Sequence, residues 1–252
     1  MPADRPDLDS ILCGRCGYPL DEVLGEPACP ECGRLISESI PAYRTGSPWQ
    51  RHPGVAGWLA TAAAMVRWQH LFDRVTPRPE RRLLALNLVL AGTLVAMGYL
   101  VPDVQRAGAL PGPGWGGVLG AFLLLLPIAV TGLWMLTAIE AAGLRFFGDR
   151  RGGRVTRPIA QVVVAHASFG WVVAGALSLV GGWLGQTVLY VPVDRVTGGW
   201  LIDVLRPHVL VGGLGFFLGL VIFETLSYLG LTRCRFANPE HQKTEPSVDH
   251  NV

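Results

Sequence analysis

The sequence predicts an all-α polytopic membrane protein with a small four-cysteine zinc ribbon at its N-terminus. Half of the 252 residues are hydrophobic and only 16% are charged, a balance too apolar for an ordinary soluble domain. The apolar residues form long uncharged blocks, and four of these reach the ~20 residues that a helix needs to cross a bilayer. Two closely spaced cysteine pairs precede the blocks, so a metal-held head is expected before a helical membrane domain.

The ribbon is predicted over residues 13–36. Its two motifs, CGRCG and CPECG, can present four thiolates tetrahedrally to one Zn²⁺ ion. Sulfur would then occupy every coordination position, so the zinc is expected to be structural, and metal binding is expected to be coupled to folding. Iron in a rubredoxin-like site has the same ligand set and is the alternative. The predicted ligands are Cys13, Cys16, Cys29 and Cys32.

The charge of the residues around the ribbon indicates which classes of partner it could bind. Residues 1–12 read as a disordered acidic tail, and residues 1–40 carry eight acidic residues against three arginines. Nucleic acid is an unlikely partner because phosphate contacts need clustered Lys and Arg. A basic protein partner, or pinning of the N-terminus to the membrane domain, is favoured instead. The N-terminus has no signal-peptide pattern, so we expect the thiols in a reducing cytosol.

Residues 37–53 are predicted to be a linker, and residues 54–72 an interfacial or re-entrant helix. The apolar part of this segment lies between Arg51 and Arg67 and is shorter than a span. Whether it spans, re-enters or lies on the membrane is open, and a short cytosolic helix packed on the ribbon is the alternative. The arginines around it suit an anionic lipid surface, although they serve equally as topology signals.

The transmembrane helical domain is predicted over residues 83–232, with spans at about 83–101, 116–142, 159–191 and 208–231 and a cytoplasmic tail at 233–252. The third span is longer than one bilayer needs, so it must tilt, bend near Gly181 and Gly182, or project from the membrane. Arginines concentrate before the first span, between the second and third, and after the fourth. The positive-inside rule therefore predicts a multi-pass inner-membrane protein with both termini cytoplasmic.

Three ionisable residues fall inside these spans at similar depth: Glu140, His166 and Glu224. Charged groups are costly in hydrocarbon and seek partners, so we predict an intramembrane polar cluster. Hydrogen bonding between helices is its favoured role, and an ion or proton path is the alternative. Cys234, at the end of the fourth span, is either a free thiol or a palmitoylation site.

Small residues recur at a helical spacing in the third and fourth spans and indicate faces for close helix packing. These faces serve either the folding of one chain or a homo-oligomer. The residues concerned are Gly170, Ala174, Ser178, Gly182, Gly215 and Gly219.

The stretch from Gly143 to Gly175, GLRFFGDRRGGRVTRPIAQVVVAHASFGWVVAG, resembles the middle of the Yip-type (Yip domain) integral membrane family. Gly148, Gly152 and Gly153 match the family's basic, Gly-rich loop, and Ala165 to Trp171 match the start of its next helix. The chain departs from the family in having Gly170 where proline is frequent and four spans instead of five. The resemblance implies a bacterial scaffold of membrane organisation or trafficking, with no catalytic residues to carry over.

The sequence contains no GxSxG, HExxH, P-loop or Rossmann motif, so it gives no support for an enzyme. The predicted function is a non-enzymatic membrane-anchored adaptor or scaffold that recruits a cytosolic protein through the ribbon. The alternative is a small ion or solute transporter, or a permease subunit, that uses Glu140, His166 and Glu224.

Overall fold

The structure, a computed structural model, describes residues 10–107, 113–188 and 207–238, and within these ranges it confirms the predicted helical fold class. The only extended pairing in the described ranges is two isolated antiparallel bridges, Leu12 with Pro19 and Ala28 with Leu35. The helices are α1 (Pro48–Arg51), α2 (Val55–Ala64), α3 (Trp68–Arg74), α4 (Arg81–Ala107), α5 (Pro113–Arg150), α6 (Arg157–Ala167), α7 (Phe169–Thr187) and α8 (Pro207–Cys234).

Four stretches are long and apolar enough to cross a membrane, which identifies a multi-pass membrane protein. They are Arg81–Gln105, Gly114–Arg150, Arg157–Thr187 and Pro207–Cys234. The segment 54–72 is not among them. It divides into α2, of 10 residues, a 3₁₀ turn at Met65–Arg67, and α3, of 7 residues. Helix α2 by itself is only ~15 Å long at 1.5 Å per residue, which is shorter than a hydrocarbon core.

The chain divides into two compact units, and each is described by itself. The first, called the head unit, comprises Met1–Glu80, Ala141–Val163 and Leu229–Val252. The second, called the helical unit, comprises Arg81–Glu140 and Val164–Tyr228. The head unit therefore contains the cysteine motifs together with the end of α5, the beginning of α6 and the end of α8.

The core of the helical unit forms around the fully buried Trp171 of α7. Its indole ring stacks on Phe223 of α8 at a centroid distance of 4.4 Å, and its Nε1–H donates a hydrogen bond to Thr137 Oγ1 of α5 at 2.9 Å. The buried amide of Asn87 on α4 donates to Ser168 Oγ at 2.8 Å. One aromatic residue and two polar pairs thus connect the long helices.

The predicted small-residue faces pack within the chain. A Cβ atom added to Gly182 would lie 2.5 Å from the carbonyl oxygen of Gly98 on α4, and one added to Gly219 would lie 2.1 Å from Cα of Ala174. A Cβ at Gly170 would lie 2.5 Å from Cα of Phe223. The α7 backbone therefore approaches α4 and α8 closely, as helices with small residues do. A homo-oligomer through these faces stays a prediction, and none of these contacts requires it.

The third span is interrupted at Ser168, between α6 and α7. Of the three alternatives for this long span, a bend near Gly181 and Gly182 is not seen, because both glycines lie inside the regular helix α7. Ser168 Oγ donates to the carbonyl oxygen of Ala165 at 2.6 Å while it accepts the Asn87 amide, and such side-chain bonds compete with the helix ladder. The end of this predicted span, at residues 189–191, lies outside the described residues.

The second span is longer than predicted. Helix α5 has 38 residues and continues to Arg150, eight residues beyond the predicted end at 142. At 1.5 Å per residue its length is ~57 Å, almost twice the ~30 Å of a hydrocarbon core. Its last turns belong to the head unit, so this helix extends well past the membrane-crossing part.

Candidate metal centre

The two cysteine motifs fold into equivalent turns. In each, the N–H of the first cysteine donates to the carbonyl oxygen five residues later at 2.8 Å, and the N–H of the last glycine donates back to the first cysteine's carbonyl at 2.9 Å. Those glycines, Gly17 and Gly33, have φ values of 80° and 71°, a left-handed conformation that glycine adopts without a steric penalty. The motif spacing is therefore explained by two matching turns, called knuckle 1 (residues 13–17) and knuckle 2 (residues 29–33).

The knuckles bring all four thiols together. The four Sγ atoms lie within 4.8 Å of one another, with Cys13 to Cys32 at 3.5 Å and Cys16 to Cys29 at 3.7 Å. A tetrahedral centre with metal–sulfur bonds of ~2.3 Å has sulfur–sulfur edges of ~3.8 Å. The donor set fits a closed four-thiolate site, which confirms a metal-binding cluster at the predicted residues. Zinc and iron fit it equally.

Local hydrogen bonds favour the thiolate form of one ligand. Burial alone would raise the pKa of Cys13, but hydrogen bonds to its sulfur from the backbone N–H groups of Cys16 and Arg15 and from neighbouring thiols lower that pKa to about 7. Burial raises the pKa of Cys16 to about 12. A cavity of about 730 Å³ beside the knuckles includes Arg15 and Arg34 in its lining, and these cations offset the negative charge of a metal tetrathiolate.

The ribbon begins earlier than predicted. Ile11 and Leu12, assigned from the sequence to a disordered tail, are 7% and 0% exposed. Ile11 packs in a small cluster with Leu20 and Ile36 around the buried ligands Cys13 and Cys29. Residues 1–9 of the predicted tail lie outside the described residues. Because the cluster is so small, a bound metal would supply much of the stability of the ribbon.

A single asparagine, Asn238, fixes knuckle 1 to the segment that follows α8. Its Oδ1 accepts the N–H of Leu12 at 2.9 Å, and its Nδ2 donates to the carbonyl oxygens of Leu12 and Ser39, each at 2.8 Å. Arg154 also donates to this Oδ1, and its Nη1 donates to the carbonyl oxygen of Ser10 at 2.7 Å. Asn238 lies in the segment that the sequence predicts to be a cytoplasmic tail, and no local pattern indicates this role. Residues 239–252 of that tail lie outside the described residues.

The two knuckles differ in what packs against their last glycine. The ring of Phe236 covers Gly17 so closely that an added Cβ would lie 2.8 Å from it. The equivalent Gly33 has no atom of the described residues within 4 Å of such a Cβ. Knuckle 1 is therefore covered by the chain's own C-terminal segment, whereas knuckle 2 is open in the described structure.

Two arginines that look like topology signals in the sequence make structural hydrogen bonds. Arg154 is 5% exposed and makes the contacts described above. Arg44 donates from Nη1 to the carbonyl oxygen of Val75 at 3.1 Å, and burial lowers the pKa of its guanidinium group. Both connect backbone segments of the head unit, a role that composition cannot separate from topology signalling.

Two members of the predicted intramembrane cluster lie near each other. The carboxyl groups of Glu140 on α5 and Glu224 on α8 are close enough to interact electrostatically. His166 is fully buried near the end of α6. The three-residue cluster itself stays a prediction.

Cys234 is not a fifth ligand of the centre. It is 2% exposed, and its thiol lies 3.8 Å from the carbonyl oxygen of Phe72 on α3. This burial favours the unmodified thiol over palmitoylation.

No protein-family model, curated protein or solved structure matches this chain. The Yip-type resemblance therefore stays an expectation from the residues quoted for it. The four-cysteine centre, the contacts of its two knuckles and the apolar helices are the features from which function is inferred.

Proposed function

We propose that this chain is a non-enzymatic, Yip-like membrane adaptor that recruits a protein partner through a structural zinc ribbon. In this proposal the protein lies in a bacterial inner membrane with both termini cytoplasmic. Zinc is proposed over iron because a closed four-thiolate ribbon in a reducing compartment needs no redox chemistry to act as a fold staple.

The observation that carries the proposal is the difference between the knuckles. Two turns with the same backbone hydrogen bonds have different surroundings, since Phe236 covers Gly17 and nothing described covers Gly33. One turn is used to fix the ribbon to the head unit. The other turn is left accessible, and a bound metal would hold it rigid, as a docking surface requires.

The surface around knuckle 2 has the composition of a binding patch. Leu24 is 41% exposed and Leu35 is 51% exposed, and the acidic residues Glu26 and Glu31 lie on the same small ribbon and are exposed. Leu35 also lines the cavity beside the knuckles, together with four arginines and two acidic residues, so the acidic part of the patch comes from Glu26 and Glu31. Apolar anchors with acidic groups on the same ribbon suit a partner that offers an apolar side chain flanked by Lys or Arg. A basic protein segment is therefore the proposed ligand of knuckle 2.

Site-specific photo-crosslinking in intact cells tests this proposal. A photoreactive amino acid at position 35 is expected to give one discrete covalent adduct with a protein, and Glu31→Lys in the same chain should remove it by charge reversal. The matched control is position 18, which is exposed and directly follows the covered knuckle 1. No adduct at position 35, or equal adducts at both positions, would refute the adaptor function.

A second candidate, an ion or solute permease, is supported by the proximity of the Glu140 and Glu224 carboxyl groups. Neighbouring carboxyl groups in a membrane-crossing region are a feature of proton pathways as well as of helix association. The adaptor is favoured because the open knuckle has no role in permeation. Proton flux into liposomes that disappears in Glu224→Gln would favour the permease instead.

A further inference from the structure

A basic cavity lies in the head unit away from the metal centre. Its volume is about 690 Å³, and it lies between the end of α1, the end of α2 with the 3₁₀ turn that follows, and α3. Its lining contains four basic side chains and no carboxylate. The lining includes Arg51, Arg67, His70, Arg74 and Val66.

We propose that this cavity, called the neck cavity, binds the phosphate group of an anionic phospholipid. The proposal is independent of the ribbon's partner. It rests on the charge of the cavity, on its depth along the spans and on the apolar surface next to it.

The charge of the neck cavity is not neutralised by its own lining. Arg51, Arg67 and Arg74 are exposed, and none forms a salt bridge with a carboxylate in the part of the chain that the structure describes. The cavity beside the ribbon differs, because Asp73 lies 3.7 Å from Arg34 and 3.5 Å from Arg233 there. Guanidinium groups without a protein counter-ion are suited to a phosphate, which they bind in a bidentate manner.

The depth of the neck cavity matches lipid headgroups. Phe72 of α3 packs against Gly230 of α8 and near Val163 of α6, since a Cβ at Gly230 would lie 2.8 Å from the Phe72 ring and 2.9 Å from Val163 Cγ1. Gly230 lies four residues before the end of α8, and Val163 lies six residues after the start of α6. Both residues lie in the head-unit part of their helices, within two residues of the points at 163/164 and 228/229 where the chain passes from one unit to the other. Helix α3 therefore packs where these two helices leave the membrane-crossing part. That position corresponds to the interfacial layer of a bilayer.

The apolar surface next to the cavity supports a lipid instead of a soluble anion. Val55 and Leu59 of α2 are 78% and 56% exposed, and Val66 in the cavity wall is 86% exposed. Helix α2 is held in place from inside, because the N–H of Trp49 donates to the buried Thr61 Oγ1 at 2.8 Å. Large apolar side chains that remain exposed on a fixed helix beside cations are typical of a membrane-surface segment. A phospholipid satisfies both features at once, with its phosphate on the arginines and its acyl chains along α2.

Binding of short-chain lipids to the purified full-length protein tests the proposal. The protein in a non-ionic detergent is titrated with dioctanoyl phosphatidylglycerol, and bound lipid is counted by native mass spectrometry. The affinity for phosphatidylglycerol should exceed that for dioctanoyl phosphatidylcholine at least tenfold. Arg67→Gln with Arg74→Gln should weaken it by about fivefold per arginine, or roughly 25-fold, since each nearby cation contributes ~1 kcal/mol at an anionic lipid surface.

The matched control is Arg150→Gln with Arg151→Gln, which removes the same charge from exposed positions of the head unit outside the neck cavity. This pair should retain the affinity within twofold. Equal losses in the two double variants would reduce the effect to overall charge and overturn the site, as would an unchanged affinity in the Arg67 and Arg74 variant. Inorganic phosphate that competes as strongly as the lipid would overturn the lipid and leave a free-phosphate site.

Discussion

Asn238 is the residue on which the attachment of the ribbon depends most directly. Its side-chain amide has one acceptor oxygen and two donor hydrogens, and all of them are used. The oxygen accepts from Leu12 and Arg154, and the nitrogen donates to Leu12 and Ser39. One buried amide thus joins the ribbon, the segment after it and the turn between α5 and α6.

Asn238→Ala should loosen the ribbon without unfolding the membrane helices. The substitution leaves buried backbone groups of Leu12 and Ser39 without partners, at a cost of about 1–3 kcal/mol each. Amide hydrogen exchange measured by mass spectrometry should become at least tenfold faster in the peptide around Leu12. Thr232→Ala, at an exposed position of the preceding helix, is the control and should leave this exchange unchanged. If Asn238→Ala also leaves it unchanged, the amide does not hold the ribbon.

Among individual residues, the four metal ligands could be predicted from the sequence, whereas the role of Asn238 could not. The cysteines are recognisable because each pair is contained in one local turn, so its spacing is visible within five residues. Asn238 contacts Leu12 across 226 positions of sequence, and no local pattern accompanies such a contact. Arg154 shows the same limit, because a buried arginine and a topology-setting arginine are identical in composition.

Among the helices, α7 has the most demanding packing. Nine of its residues are buried, and five of these are glycines. Ala174 on α7 faces Gly219 on α8, where an added Cβ would lie 2.1 Å from backbone Cα. Since backbone cannot give way as a flexible side chain can, contacts of this kind fix the distance between two helices.

The same substitution at two glycines should have different effects on stability. Gly219→Ala should lower the melting temperature of the detergent-solubilised protein, because overpacking against α7 costs typically 1–3 kcal/mol. Gly132→Ala, in α5, should leave it unchanged or raise it, because no atom of the described residues lies within 4 Å of the new Cβ and alanine is the better helix former by about 1 kcal/mol. Equal shifts from both substitutions would show that α7 and α8 do not pack as described.

The sequence predicted the number of long helices but not where they end or break. Hydropathy reports the apolar length, so it stopped at 142, whereas α5 continues to Arg150 through charged turns that pack in the head unit. At the break, Ser168 is hydrogen-bonded by the Asn87 amide, 81 positions away, and no local pattern announces such a contact. Two adjacent glycines in a long span suggest a bend, yet Gly181 and Gly182 allow close packing inside a regular helix.

For the whole molecule, the metal should matter to one unit and not to the other. Of the five buried residues in the ribbon cluster, Cys13 and Cys29 are themselves ligands. Without a bound metal, the cluster keeps only Ile11, Leu20 and Ile36, which is too little apolar surface for a stable fold. The helical unit has its own core around Trp171 and uses no cysteine.

Cys29→Ser should therefore lose the metal and the folded ribbon while the helices remain. Elemental analysis of the wild type should give about one metal ion per chain, since four thiolates close one site. In Cys29→Ser the metal should be absent, trypsin should cut after Arg15 and Arg34, and helical circular dichroism should stay within a few per cent. Cys234→Ser is the matched control, because that buried thiol lies beside Phe72 outside the four-cysteine cluster and should keep the metal. Metal retained by Cys29→Ser, or lost equally from both variants, would show that the knuckles do not form the site, because thiolates bind such metals far more strongly than hydroxyls do.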